Sequence, residues 1–181
     1  MIAPMSWLNR RFTLDLPLEW FPAVVERLRG TPARAESLIV GAPEALLSLR
    51  PQGKWSVKDH IGHLHDLCEL DEARLNAFRS DVGVLPAADM DNARTHSADH
   101  YLRPTHEVLT GFRTARLELV RDLEALTSEQ VSTVAHHPRL QKPMRVIDWA
   151  FFVAEHDDHH MAWIRFLLRE LAEGPNKDRE S

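Results

Sequence analysis

Four stretches of this sequence repeat apolar residues at the three-to-four spacing of an α-helix, with proline and glycine punctuating the chain between them. That pattern restricts the fold more than any other feature, because each amphipathic helix must bury its apolar stripe against a partner. The first stretch runs from about Leu18 to Leu49, with Phe21, Val24, Val25, Leu28, Ala35, Leu38 and Ile39 in phase. Gly30, Pro32, Gly41 and Pro43 interrupt it, so a bent or broken helix is expected. Ser56 is a suitable N-cap for the second helix, with Asp59 three residues on, and that helix extends to about Arg79. A third begins near Thr105 and ends near Leu126, and Thr127 with Gln130 stand in capping-box positions for one more turn. The stretch HHPRLQKP reads as a loop, and the fourth helix runs from about Met144 to Ala172, stopped by Gly174 and Pro175.

Residues 1–18 are left as an irregular arm, 173–181 as a polar tail, and 80–104 as a long connection between helices two and three. No repeat and no alternating strand pattern occurs. The expectation is one all-α domain over 1–181, an antiparallel four-helix bundle.

Charge narrows the function classes. A formal net charge of −5 gives no broad positive field for phosphate backbones, which argues against nucleic acid. No stretch reaches the ~20 apolar residues that a membrane span needs, and the N-terminus lacks the pattern of a signal peptide. A cytoplasmic location and a small-molecule substrate are the expectations, and an exposed helical face leaves room for a homodimer. With Cys68 alone, no internal disulfide or cysteine-rich zinc site can form.

Histidine remains as the soft ligand, and six of the eleven fall in two clusters, one in helix two and one in helix four. In helix four, His156 and His160 lie in the middle of the stripe drawn by Val146, Trp149, Val153, Ile164 and Leu167. Four residues apart, both imidazoles can reach one ion. A single core histidine usually has a hydrogen-bond partner, but two in consecutive turns would each need one, whereas a cation satisfies both. His159 points about 60° away from the stripe and is the weaker ligand. A third ligand should come from another helix. In helix two, His60 lies near the centre of the apolar face, His63 sits at its flank and His65 points outward. Periodicity therefore leaves His60 and His63 both open. Asp66 and Asp71 are candidate acceptors for an imidazole N–H. His96 and His100 repeat the four-residue spacing in a loop-like region, where a second metal site is not expected. His136 and His137 are expected to be exposed, and Cys68 to be a buried small hydrophobe.

Two segments, WSVKDHIGHL over 55–64 and FVAEHDDHHMAWI over 152–164, together with the approach PMRVIDW, resemble the DinB-like family. The resemblance spans most of residues 20–172 and implies an up-down-down-up bundle. It also implies a divalent ion held by one histidine of helix two, that of Gly-His-Leu, and by the first and last histidines of HDDHH. Carried over, these are His63, His156 and His160, with Zn or Ni as the ion. Some relatives are similar to transferases that use a low-molecular-weight thiol. The resemblance thus points to a metal-dependent transferase or hydrolase. Asn92 and Arg94, in the polar 89–100 segment, are candidate contacts for an anionic substrate. The competing reading is a non-catalytic, metal-stabilised or small-ligand-binding stress-response bundle, since no separate general base stands out.

Overall fold

The structure is a computed structural model and describes residues 2–173. Four long helices form the body: α1 (Phe21–Ile39), α2 (Val57–Arg79), α3 (Thr105–Glu124) and α4 (Val146–Glu173). The Ser56 capping box is present: its hydroxyl accepts from the Asp59 amide, and the Asp59 carboxylate accepts from the Ser56 amide. Thr127 and Gln130 cap a one-turn helix in the same way. In α1, Gly30 and Pro32 leave the helix unbroken, and the Thr31 hydroxyl donates to the Arg27 carbonyl at 3.0 Å. The break comes at Gly41, whose φ of 78° suits a residue without a Cβ, and Glu44–Ser48 is a separate turn.

The fold departs from the sequence reading in one segment. The segment read as a loop after helix three is a β-hairpin, β1 (Val134–His137) with β2 (Lys142–Arg145), paired antiparallel with Val134 opposite Arg145 and His137 opposite Lys142. Four residues per strand are too few for alternation to show in the sequence. The domain is therefore mainly helical with one small sheet, and α4 starts at Val146 because the preceding residues pair in β2. The proposed helix stop at Gly174 and Pro175, and all but the first residue of the polar tail, lie outside the described residues.

Ion pairs fix how the helices lie on one another. Arg27 meets Glu155 at 2.8 Å and also Asp158, and Arg34 meets Asp158 at 2.7 Å, which joins α1 to α4. Arg29 reaches Glu124 and Glu36 reaches Arg113, joining α1 to α3. Asp71 meets Arg116 at 3.1 Å and Arg79 meets Asp122 at 3.7 Å, joining α2 to α3.

Two apolar clusters fill the interior. One contains Val24, Leu28, Leu75, Phe78, Leu123, Met144 and Trp149; the other contains Ala35, Ile39, Ile61, Leu64, Phe112 and Ile164. In each of α2, α3 and α4, the residues between the two clusters include buried polar groups: Asp71 and Arg74, Arg116, and Asp157 with His159 and His160. A polar layer thus crosses the middle of the bundle, and polar groups removed from water need partners there or a ligand. No described helix is long and apolar enough to cross a membrane.

Candidate metal centre

The first turns of α2 place two histidines on the inner face. His60 and His63 are both buried, and the Trp55 ring lies 5.4 Å from the His60 ring and 4.7 Å from that of His63. The Gly62 between them is required by packing: a Cβ there would sit 2.2 Å from Cγ of His100. From α4, the His156 and His160 rings stand 4.5 Å apart between centroids, and the His63 ring is 5.4 and 4.8 Å from them. One ligand atom from each of His63, His156 and His160 lies within 4.8 Å of the others. Nε2 of His160 and Nε2 of His156 are 3.2 Å apart. Metal–nitrogen bonds of about 2.0–2.1 Å in a tetrahedron span about 3.3 Å between nitrogens, so these two atoms already stand at ligand spacing.

The surrounding hydrogen bonds show which nitrogens are free. The Thr95 hydroxyl donates to Asp66 Oδ2 at 2.8 Å, so its oxygen is left to accept from Nδ1–H of His63 at 3.1 Å. That leaves Nε2 of His63 with its lone pair available. His100 Nε2 reaches the same Asp66 oxygen at 2.9 Å. Burial would raise the Asp66 carboxyl, but the bonds from His100 and Thr95 hold it below the usual range, so it stays an acceptor. His60, left open with His63 by periodicity, supports the site from behind: its Nδ1 lies 2.8 Å from Nδ1 of His160. With the Nδ1–H of His160 directed there, its Nε2 faces His156 as an acceptor.

Burial also favours the neutral, ligating form of each ring. It pushes His156 and His160 well below 6.5, with neighbouring histidines adding to the shift, and His63 down to about 4 against an opposing pull from Asp66. His60 falls to about 3 and His159 to about 4, again through burial. The neutral imidazoles of His63, His156 and His160 form a donor set suited to a borderline divalent metal.

The three histidines open onto a cavity of about 340 Å³. Its walls contain several residues that the sequence did not single out. Trp7, in the N-terminal arm, packs 4.7 Å from His156 and 5.0 Å from Phe152. Arg10 holds the arm down by bonding the Glu155 carboxylate and, at 2.9 Å, the Glu155 carbonyl. His137 and Arg139 arrive from the hairpin. The expectation that His137 is exposed is overturned: it is only 1% exposed, because β1 turns it inward. No alternation in Val-Ala-His-His signals this, since two apolar residues are followed by two polar ones. His100 is buried against Gly62 and Asp66, whereas His96 is exposed.

Of the two candidate substrate contacts, Asn92 lines the cavity and Arg94 does not. Arg94 is directed to the outer surface, pairing with Glu69 and lying 3.7 Å from Asp66. Cys68 is buried, bonds the Leu64 carbonyl, and is pushed up to about 12 by burial, so it is a packing residue. On the cavity floor, Arg116 bridges Asp71 at 3.1 Å and Asp157 at 2.9 Å, and burial raises Asp157 to about 6 despite that pairing.

A family model described as the DinB superfamily matches residues 27–164. No curated protein matches the chain. Among solved structures, the chain is similar to YfiT from Bacillus subtilis, described as a probable metal-dependent hydrolase with an unusual four-helix bundle topology. The identity is 18% and the TM-score 0.78, with 90% of this chain and 94% of that chain covered. At that identity the likeness establishes the fold alone.

Proposed function

Because the chain belongs to the DinB superfamily, we propose that it is a metal-dependent enzyme whose divalent ion, Zn or Ni, is held by His63, His156 and His160. The convergence of one ligand atom from each on a common point at a cavity wall carries this proposal. The helix registers support an up-down-down-up order. Contacts between α1 and α4 advance together along both chains, as do those between α2 and α3, whereas α1 and α3 run opposed.

When bound, the ion supplies Lewis acidity toward a nucleophile, either water for a hydrolase or a low-molecular-weight thiol for a transferase. YfiT, described as a hydrolase, favours water. The chain's own residues do the rest. Trp7, Trp55 and Phe152 narrow the cavity and exclude bulk water, Asn92 contacts the substrate, and Asp66 acts through Thr95 to hold the His63 ring in place. His159 lines the cavity with its ring 5.1 Å from that of His160 and outside the ligand group, so it is placed to accept the nucleophile's proton.

Among the described residues no fourth protein ligand joins the three, and an ion there keeps a position open toward the cavity. Cobalt substitution tests this: the visible spectrum should change when a small thiol or azide is added. An unresponsive spectrum would indicate a closed, structural site and a non-catalytic, metal-stabilised bundle.

A further inference from the structure

The cavity that holds the histidines at one end carries a second set of unusual groups at the other. From His63 to Arg74, α2 advances 11 residues along the cavity wall, about 16 Å at 1.5 Å per residue. Arg74 from α2 lines the cavity with His137 and Arg139 from the hairpin, which lie against the Phe152 ring one helical turn before His156.

Arg74 is only 4% exposed, and its one hydrogen bond among the described residues runs from Nε to the Pro86 carbonyl at 3.0 Å. Arg139 lies over the Phe152 ring, 5.6 Å from its centroid, and its buried Nη2 has no partner. Neither guanidinium has a carboxylate within 4.0 Å among the described residues. The acids lining the same cavity are already engaged: Asp71 by Arg116, and Asp89 by the amides of Asp91 and Ala93. His137 adds a third donor. Its Nδ1 accepts from the Leu140 amide at 3.3 Å, which places the ring proton on Nε2, and that buried N–H has no partner either.

A buried guanidinium whose neighbouring acid, Asp71, is already held by Arg116, a half-buried one with no carboxylate in contact, and a histidine N–H left unbonded beside them are costly unless something completes them. We propose that this end of the cavity is an anion-binding subsite, in which Arg74, Arg139 and the Nε2–H of His137 hold a carboxylate or phosphate group of the substrate. Planar guanidinium forks match either group with paired hydrogen bonds. The substrate is then a small molecule with an anionic group at one end and its reacting group at the other, near the histidines. The orientation of that reacting end rests on the metal-centre reading, whereas the anion subsite does not.

The test is a chemical-shift titration of the hairpin amides of the ¹⁵N-labelled chain with acetate and with inorganic phosphate, at ionic strength held constant with potassium chloride, before and after chelator treatment. Saturable binding to the chelated protein is expected, about tenfold or more weaker in Arg139→Gln and His137→Ala and unchanged in Arg94→Ala. The tighter of the two probes tells a carboxylate substrate from a phosphorylated one. Arg139 is partly exposed, so its replacement tests the subsite without disturbing the core. Equal affinities in Arg139→Gln and Arg94→Ala, or no binding to the wild type, would overturn the subsite. Binding that disappears with the metal would also overturn it, placing the anion on the ion and leaving the histidine centre intact.

Discussion

The two ends of the cavity satisfy their polar groups in opposite ways. At the histidine end the protons are traceable: His63 donates to Thr95, Thr95 to Asp66, and His160 shares Nδ1 with His60, so the free lone pairs face one point. At the arginine end the donors outnumber the acceptors: Arg139 Nη2 and His137 Nε2 are buried without a partner, and the one hydrogen bond of Arg74 among the described residues is made by Nε. The first arrangement presents lone pairs and suits a cation; the second presents protons and suits an anion. Arg116, between them, shows what a completed charge looks like in this interior, since it is 1% exposed with a carboxylate on each side.

That contrast sets the largest expected effect. Arg116→Leu strands two buried carboxylates and should cost about 3–5 kcal/mol, read as a lower midpoint in urea. Arg139→Gln removes a cation that nothing neutralises, so it should leave the midpoint unchanged or raise it. A loss from Arg139→Gln as large as that from Arg116→Leu would mean that the two arginines are equally paired, and the contrast would fail.

Support behind the ligands comes next. Thr95→Val breaks the link from His63 to Asp66 and should weaken metal affinity about 10- to 100-fold in a competition titration, with the fold intact. Gly62→Ala forces His100 away from Asp66 and should cost about 1–3 kcal/mol of stability through overpacking, together with part of the Thr95→Val effect. Normal affinity in both variants would show that Asp66 does not orient the site.

The last effect is that of pH on the metal-free protein, and it sums over several rings. Burial holds His60 near 3 and His63, His137 and His159 near 4, below the 6.5 of an unfolded chain. Between about 4 and 6.5 the unfolded state binds more protons, so stability is full above 6.5 and is lost as pH falls through that window. Denaturation at pH 5 should show a drop, relative to pH 7.5, of about 2 kcal/mol for each ring held fully out of water, and less for the partly exposed His137 and His159. A flat profile would mean that these rings are solvated.

The histidine end was largely legible because its information is local. Ser56 and Asp59 announce the start of α2, and the stripe of α4 puts His156 and His160 in its centre. Periodicity also set His60 near the middle of the α2 face, correctly as a buried residue, but burial alone does not separate a ligand from the ring that braces one. The DinB-like motif selected His63, and the Thr95 bond gives that choice a physical reason. The arginine end was not legible. Arg139 and His137 come from a hairpin of four-residue strands; Trp7, which packs on His156 at the histidine end, was also missed, because it comes from an arm outside the matched residues. Their positions depend on contacts made across the fold, such as Arg10 with Glu155, which leave no periodic trace.

The central claim is tested most directly by elemental analysis of the purified chain beside four single variants. About one divalent ion per chain is expected in the wild type and in His159→Ala, and almost none in His63→Ala, His156→Ala and His160→Ala, each still helical by circular dichroism. Equal metal content in all four variants would contradict the three-histidine centre.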